Sequence, residues 1–153
     1  MQRTVVMAGI VGALMGLFGC SKDPCPQPTT SDEFAVGQVW EYKAREGEAD
    51  SRLVIGRIET LGEAGRVVHI KLINLRVKNP KAPGGFSSLA GHVPMSEEAL
   101  KESVTRLTEE QADLEGFEEG YEMWLGSYRE GGGGVFSIQV KDVVDCMEQA
   151  INR

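Results

Sequence analysis

The chain has 153 residues, 41% hydrophobic and 25% charged, with 16 Lys+Arg against 23 Asp+Glu, two His and three Cys. This is globular composition for one ordinary domain, neither disordered nor fibrous. A net charge of −7 argues against nucleic acid as a partner, because phosphate neutralisation needs an excess of Lys and Arg. Three Cys are too few for a disulfide-built mini-protein and lack the spacing of a structural zinc site.

The first element in the chain reads as an address. Arg3 and the amino terminus supply positive charge, and Val5 to Phe18 is a run of fourteen residues without a charge. As a helix that run spans roughly 21 Å, short of the ~30 Å hydrocarbon core, so it fits a signal h-region rather than a membrane span. The run ends Leu17-Phe18-Gly19-Cys20. This resembles the lipobox of bacterial lipoproteins, with Leu at −3, a small residue at −1 and Cys at +1. The resemblance covers the signal segment alone. It implies removal of residues 1–19, thioether diacylglycerol and N-acylation (palmitate) at Cys20, and a membrane partner through that lipid. Several acyl chains at ~0.8 kcal/mol per buried CH₂ make a stable anchor. Ser21, by the sorting rule of Gram-negative lipoproteins, implies the periplasmic face of the outer membrane. The mature chain loses only Arg3 among its charged residues, and its net charge becomes −8.

Residues 20–33 read as a linker, with Pro24, Pro26 and Pro28 alternating among polar residues. Once Cys20 is acylated, Cys25 and Cys146 are the two remaining thiols. In an oxidising compartment they are expected to pair. So long a loop would contribute about 4–5 kcal/mol at most. That bond would also bring the C-terminal segment nearest the membrane.

Residues 34–153 read as a single domain. Trp40 and Tyr42 share a face of one strand within 34–45. Leu53, Val54, Ile55 and Ile58 mark a second within 52–61, where Gly56 suggests a bulge. Arg66 to Val77 is the longest strand candidate. Val68, Ile70 and Leu72 make its apolar face, while His69 and Lys71 point to a partly wet one. Residues 79–85, rich in Pro and Gly, form a loop, and a short strand ends at Pro94. Ser96 then caps a helix whose Leu100, Val104 and Leu107 follow helical spacing. Thr108-Glu109-Glu110-Gln111 reads as a second helix start. Phe117, Tyr121, Trp124, Leu125 and Tyr128 form an apolar stripe expected in the core. Val135 to Val140 reads as a strand, and 142–151 as a closing helix with Val143, Met147 and Ala150 inward. The fold class is therefore α+β: a mostly antiparallel sheet of four to five strands with two to three helices packed on one face.

Charge is segregated. Ala64 to Ser96 holds no acid but five bases, whereas Glu97 to Glu122 holds ten acids against two bases. Arg66, Lys71, Arg76, Lys78 and Lys81, with His92, are thus the candidate binding residues for a charged partner. No cofactor or metal is implied. The acids lack an EF-hand pattern, and His69 and His92 have no adjacent ligand motif, so both His read as surface or hydrogen-bonding residues. No G-x-S-x-G elbow is present, Ser87 and Ser88 near His92 do not make a triad, and Glu97 and Glu98 diverge on a helix. The reading is a lipid-anchored envelope protein with a small non-enzymatic module that binds an envelope or secreted protein. An inhibitor or immunity lipoprotein is one concrete form. The alternatives are a structural or assembly lipoprotein and, behind it, a small hydrolase.

Overall fold

The computed structural model describes residues 25–153. The signal segment, the lipobox and Cys20 lie outside the described residues.

Period-two patterning builds a six-stranded sheet. The strands are β1 (Gln27–Pro28), β2 (Val39–Tyr42), β3 (Arg52–Thr60), β4 (Arg66–Lys78), β5 (Phe86–Ser96) and β6 (Val104–Leu107). Their order is β5-β4-β3-β2-β6, all pairs are antiparallel, and β1 pairs with the end of β3 at Glu59 and Thr60. Three helices complete the α+β fold: α1 (Glu97–Ser103), α2 (Phe117–Arg129) and α3 (Val140–Ile151).

Alternation in the central strands feeds two cores. Leu53, Ile55, Val68, Ile70 and Leu72 face α1 and α3, and pack on Leu100, Val140, Val143 and Val144. Val67, on the other face, joins Leu61 and the α2 residues Phe117, Tyr121, Trp124 and Leu125. Two helices therefore cover the expected face, and α2 covers the face expected to be partly wet. The close approach of α2 depends on glycine. A Cβ on Gly56 would lie 2.3 Å from the Phe117 ring, and one on Gly120 would lie 2.7 Å from His92 Cβ. Gly56 also sits in the expected bulge, where the β3–β4 register shifts between Ile55 and Arg57.

Ser96 caps α1 as its sequence suggests, its Oγ accepting from the Ala99 N–H at 3.3 Å. The helix then stops early. Val104 to Leu107 form β6 and pair with β2, because β-branched Val104 and Thr105 meet a β2 edge needing backbone partners. Thr108 starts no helix; its hydroxyl donates to the Val39 carbonyl. Nor do residues 135–140 make a strand. Phe136 forms one parallel bridge to Met95, beside a β5 that runs through Pro94 to Ser96. An outer strand tolerates that proline. On α3, Val143 is buried and Met147 partly so, but Ala150 is exposed.

The described part of the linker is fastened to the sheet. Pro26 is buried, the Thr29 N–H donates to the Ile58 carbonyl, and Ser31 hydrogen-bonds Glu97. At the opposite end, α3 docks through Arg45, whose guanidinium meets Glu48 at 2.7 Å, Asp145 at 3.0 Å and Glu148 at 3.4 Å. The side chain of Asn152 donates to the Lys78 carbonyl at 2.8 Å.

This arrangement corrects the expected Cys25–Cys146 pairing. Both thiols are free and exposed. Cys25 lies near Arg129 of α2 at the Thr60 end of the sheet. Cys146 rides on α3, which packs on the other face and ends at Lys78. The C-terminal segment is thus at the far end of the domain from Cys25. No helix among the described residues is long and apolar enough to cross a membrane.

Candidate functional site

The six candidate binding residues separate into three environments. Arg66 is spent internally: its Nη1 donates to Glu97 Oε2 at 2.9 Å, at the start of α1. Burial alone would raise the Glu97 carboxyl, but hydrogen bonds from Ser31 and Arg66 outweigh it and hold the carboxyl below its ordinary range. Lys71 is buried and donates to the Glu115 carbonyl at 2.8 Å, with Asp113 at 3.6 Å.

Arg76, Lys78 and Lys81 stay together, at the tip of the β4–β5 hairpin. Among the described residues the side-chain cation of none of the three lies within ion-pair distance of a carboxylate, although the Arg76 and Lys78 backbone N–H groups donate to Glu48 and Glu148. The Arg76 guanidinium lies 5.0 Å from the centre of the Phe86 ring, a cation–π contact, and Phe86 is itself exposed. The loop is internally braced. The Asn79 N–H donates to the Gly85 carbonyl at 2.9 Å, and Asn79 Nδ2 donates to Ser87 Oγ at 2.8 Å. Gly84 and Gly85 take φ values of 73° and 79°, a left-handed region that glycine supplies at least cost. The tip therefore carries three cations without ion pairs and one exposed aromatic ring, with Glu46 and Glu148 lining the cleft beside Arg76, Lys78 and Phe86.

His92 belongs to a different assembly, under α2. His69 is completely buried, and its Nδ1 lies 2.9 Å from His92 Nε2. On its other side His69 Nε2 is 3.2 Å from Glu59 Oε2, outside good hydrogen-bond geometry. Glu59 is buried and accepts from the Tyr121 hydroxyl at 2.9 and 3.0 Å. Arg57 covers the Tyr121 ring at 4.1 Å and approaches Glu59 at 3.7 Å. The donor and acceptor across the His69–His92 bond depend on the tautomer; with the His69 proton on Nε2, facing Glu59, His92 Nε2–H would donate to His69 Nδ1. Burial, then His92 and Arg57, push His69 down to about 3. Burial and Arg57 push His92 down to about 4. Burial and the bond to Glu59 push Tyr121 up to about 12. At neutral pH both imidazoles are thus uncharged.

This group ties α2 to the sheet by polar contacts inside an aromatic cage; the His69 ring lies 4.8 Å from Trp124 and 5.2 Å from Tyr121. His92 also lines an open cleft of about 410 Å³ with Pro94, Gly120, Trp124 and Phe136. Trp124 Nε1 donates to the Gly134 carbonyl, holding part of the four-glycine loop beside it. Among the described residues no group of three or more His, Cys, Asp or Glu is arranged to hold a metal ion.

The Glu59–His69–His92 line was not legible from sequence. His69 alternates onto what reads as the wet face, and only the placement of α2 makes that face a core. The signal available was Glu59 and His69 on a shared sheet face, with Gly56 leaving room for the helix that carries Tyr121.

No family model, curated protein or solved structure matches this chain.

Proposed function

We propose that this chain is a lipid-anchored cell-envelope protein whose domain is a non-enzymatic binding module, of the inhibitor or immunity type, that engages its partner through the β4–β5 tip. The observation that carries the reading is the charge-free run closing in Leu17-Phe18-Gly19-Cys20. The position of the tip supports it. From Cys20 to Cys25 the chain spans at most about 18 Å. Cys25 precedes β1, which pairs with Glu59 and Thr60. Arg66, opposite Thr60, and Lys78 are the two ends of the thirteen-residue β4, about 35–40 Å apart at strand rise. A lipid at Cys20 thus leaves Arg76, Lys78, Lys81 and Phe86 at the end of the domain away from the anchor, free to meet a soluble partner.

Labelled palmitate tests the anchor. Wild-type protein is expected to incorporate it and to fractionate with membranes. Cys20→Ala is expected to remain unlabelled at precursor mass. A wild-type protein that takes up no label overturns the reading.

The hydrolase alternative has one observation in its favour, the uncharged His92 ring on the cleft beside Trp124. The hydrogen bond of His92 among the described residues goes to His69 and to no hydroxyl or thiol, so the binding reading accounts for more of the molecule.

A further inference from the structure

The two edges of the β4–β5 arm are finished differently. On the β4 edge, the backbone groups that would accept another strand are already used. The Arg76 N–H donates to Glu48 Oε1 at 2.7 Å and the Arg76 carbonyl accepts from Arg45 at 3.3 Å. The Lys78 N–H donates to Glu148 Oε2 at 2.7 Å and the Lys78 carbonyl accepts from Asn152 at 2.8 Å. Four side chains from the 45–48 turn and α3 close that edge.

The β5 edge is open at the same level. Arg76 and Lys78 turn their backbone outward, so Val77 and its partner Ser87 exchange the ladder bonds. By the same alternation Phe86 and Ser88 turn their N–H and C=O groups away from β4. Among the described residues no strand or side chain meets those groups; the outer edge is covered only further along, where Phe136 bonds Pro94 and Ser96. Phe86 and Leu89 stand exposed beside this stretch, 41% and 50% accessible. Arg76 and Lys78 share a cleft with Phe86, and the side-chain cations of Arg76, Lys78 and Lys81 make no ion pair among the described residues; Glu46 and Glu148 also line that cleft, and Asp113 and Glu115 the cleft beside Ser88 and Leu89.

We infer that the β5 edge from Phe86 to Leu89 is a docking site for an extended acidic segment of a partner protein, which adds to the sheet as a further strand. Backbone bonds to Phe86 and Ser88 supply register, Phe86 and Leu89 take apolar side chains on the two faces, and the three tip cations select carboxylates. A second copy of this chain is the poorer occupant, since its own β5 strand carries no acid and would set the same unpaired tip cations against these. A lipid surface is poorer too, since the tip lies at the end of the sheet away from β1. This inference deepens the binding reading and rests on it; it names the chemistry of the partner.

The test uses the full lipidated chain in neutral detergent at low salt, with a synthetic peptide of alternating glutamate and valine as the probe. Amide exchange at Phe86 and Ser88 is expected to slow on adding the peptide, and an alternating lysine–valine peptide is expected to do nothing. Lys78→Glu with Lys81→Glu is expected to weaken the response about tenfold. Ser88→Pro removes an N–H that the β4 ladder does not use, and is expected to abolish the response while the exchange pattern of β3 and β4 stays native. The inference is overturned by no slowing, by equal slowing with both peptides, or by wild-type binding in both variants. Slowing by anionic vesicles without peptide, or by raised protein concentration alone, would assign the edge to lipid or to a second copy and overturn it equally. Palmitate labelling reads the anchor separately, so the two failures are distinguishable.

Discussion

His69 Nδ1 and His92 Nε2 lie 2.9 Å apart on neighbouring strands, roofed by Tyr121 and Trp124 of a helix on the sheet's second face. Two imidazoles at that distance share one hydrogen bond only while at least one ring nitrogen carries no proton. The packing of α2 is therefore coupled to the protonation of both rings.

The sign follows from linkage. In the unfolded chain each His binds its proton near 6.5; in the fold the values fall to about 3 for His69 and about 4 for His92. Between those limits the unfolded state holds more protons, so stability is full above about pH 6.5 and declines as pH falls toward 4. His69 alone accounts for a loss on the order of 3–5 kcal/mol over its range. Urea unfolding at pH 7 and pH 5 is expected to show lower stability at pH 5, with the slope much reduced in His69→Leu/His92→Leu. An equal slope in that variant contradicts the account.

The Tyr121 hydroxyl donates to both oxygens of buried Glu59. Tyr121→Phe keeps the ring and removes that donor, leaving a buried carboxylate short of a partner. The expected cost is about 1–3 kcal/mol in urea unfolding. A variant as stable as wild type would mean that water or Arg57 supplies the bond equally well.

Gly56 is where the Phe117 ring enters the sheet, with a Cβ position only 2.3 Å from ring carbons. Gly56→Ala is expected to destabilise by about 1–3 kcal/mol through overpacking. Phe117→Leu is expected to recover part of that loss in the double variant, because the smaller side chain vacates the same space. A strictly additive double-mutant cycle would show that the two positions do not compete.

Much of this architecture was legible because local pattern and tertiary role agree. The period-two runs of β3 and β4 became the central strands, Ser96 capped α1, and Phe117, Tyr121, Trp124 and Leu125 became a core. Legibility ended where a neighbour decides. Val104 to Leu107 fits a helix by spacing and becomes a strand because β2 lies beside it. Lys71 and Arg66 look like free cations beside Arg76, Lys78 and Lys81, yet the 113–115 loop and Glu97 consume them. Charge along the chain locates a basic segment; only the fold shows which of its members remain unpaired.

The two described cysteines give a simple chemical check. Cys25 and Cys146 are exposed free thiols, the first near Arg129 of α2 and the second on α3, which packs on the other face of the sheet. Both are expected to react with iodoacetamide in native, unreduced protein, each adding one carbamidomethyl group. Protection of both until a reductant is added would restore the expected disulfide and require α3 to move.

The proposed anchor underlies the placement of the binding tip away from the membrane, and the mass of the native amino-terminal peptide tests it most directly. Protein purified from its own membranes without reductant is expected to begin at Cys20, carrying diacylglycerol on sulfur and an acyl chain on nitrogen. A peptide that begins at Met1, or a Cys20 with an unmodified thiol, contradicts the account.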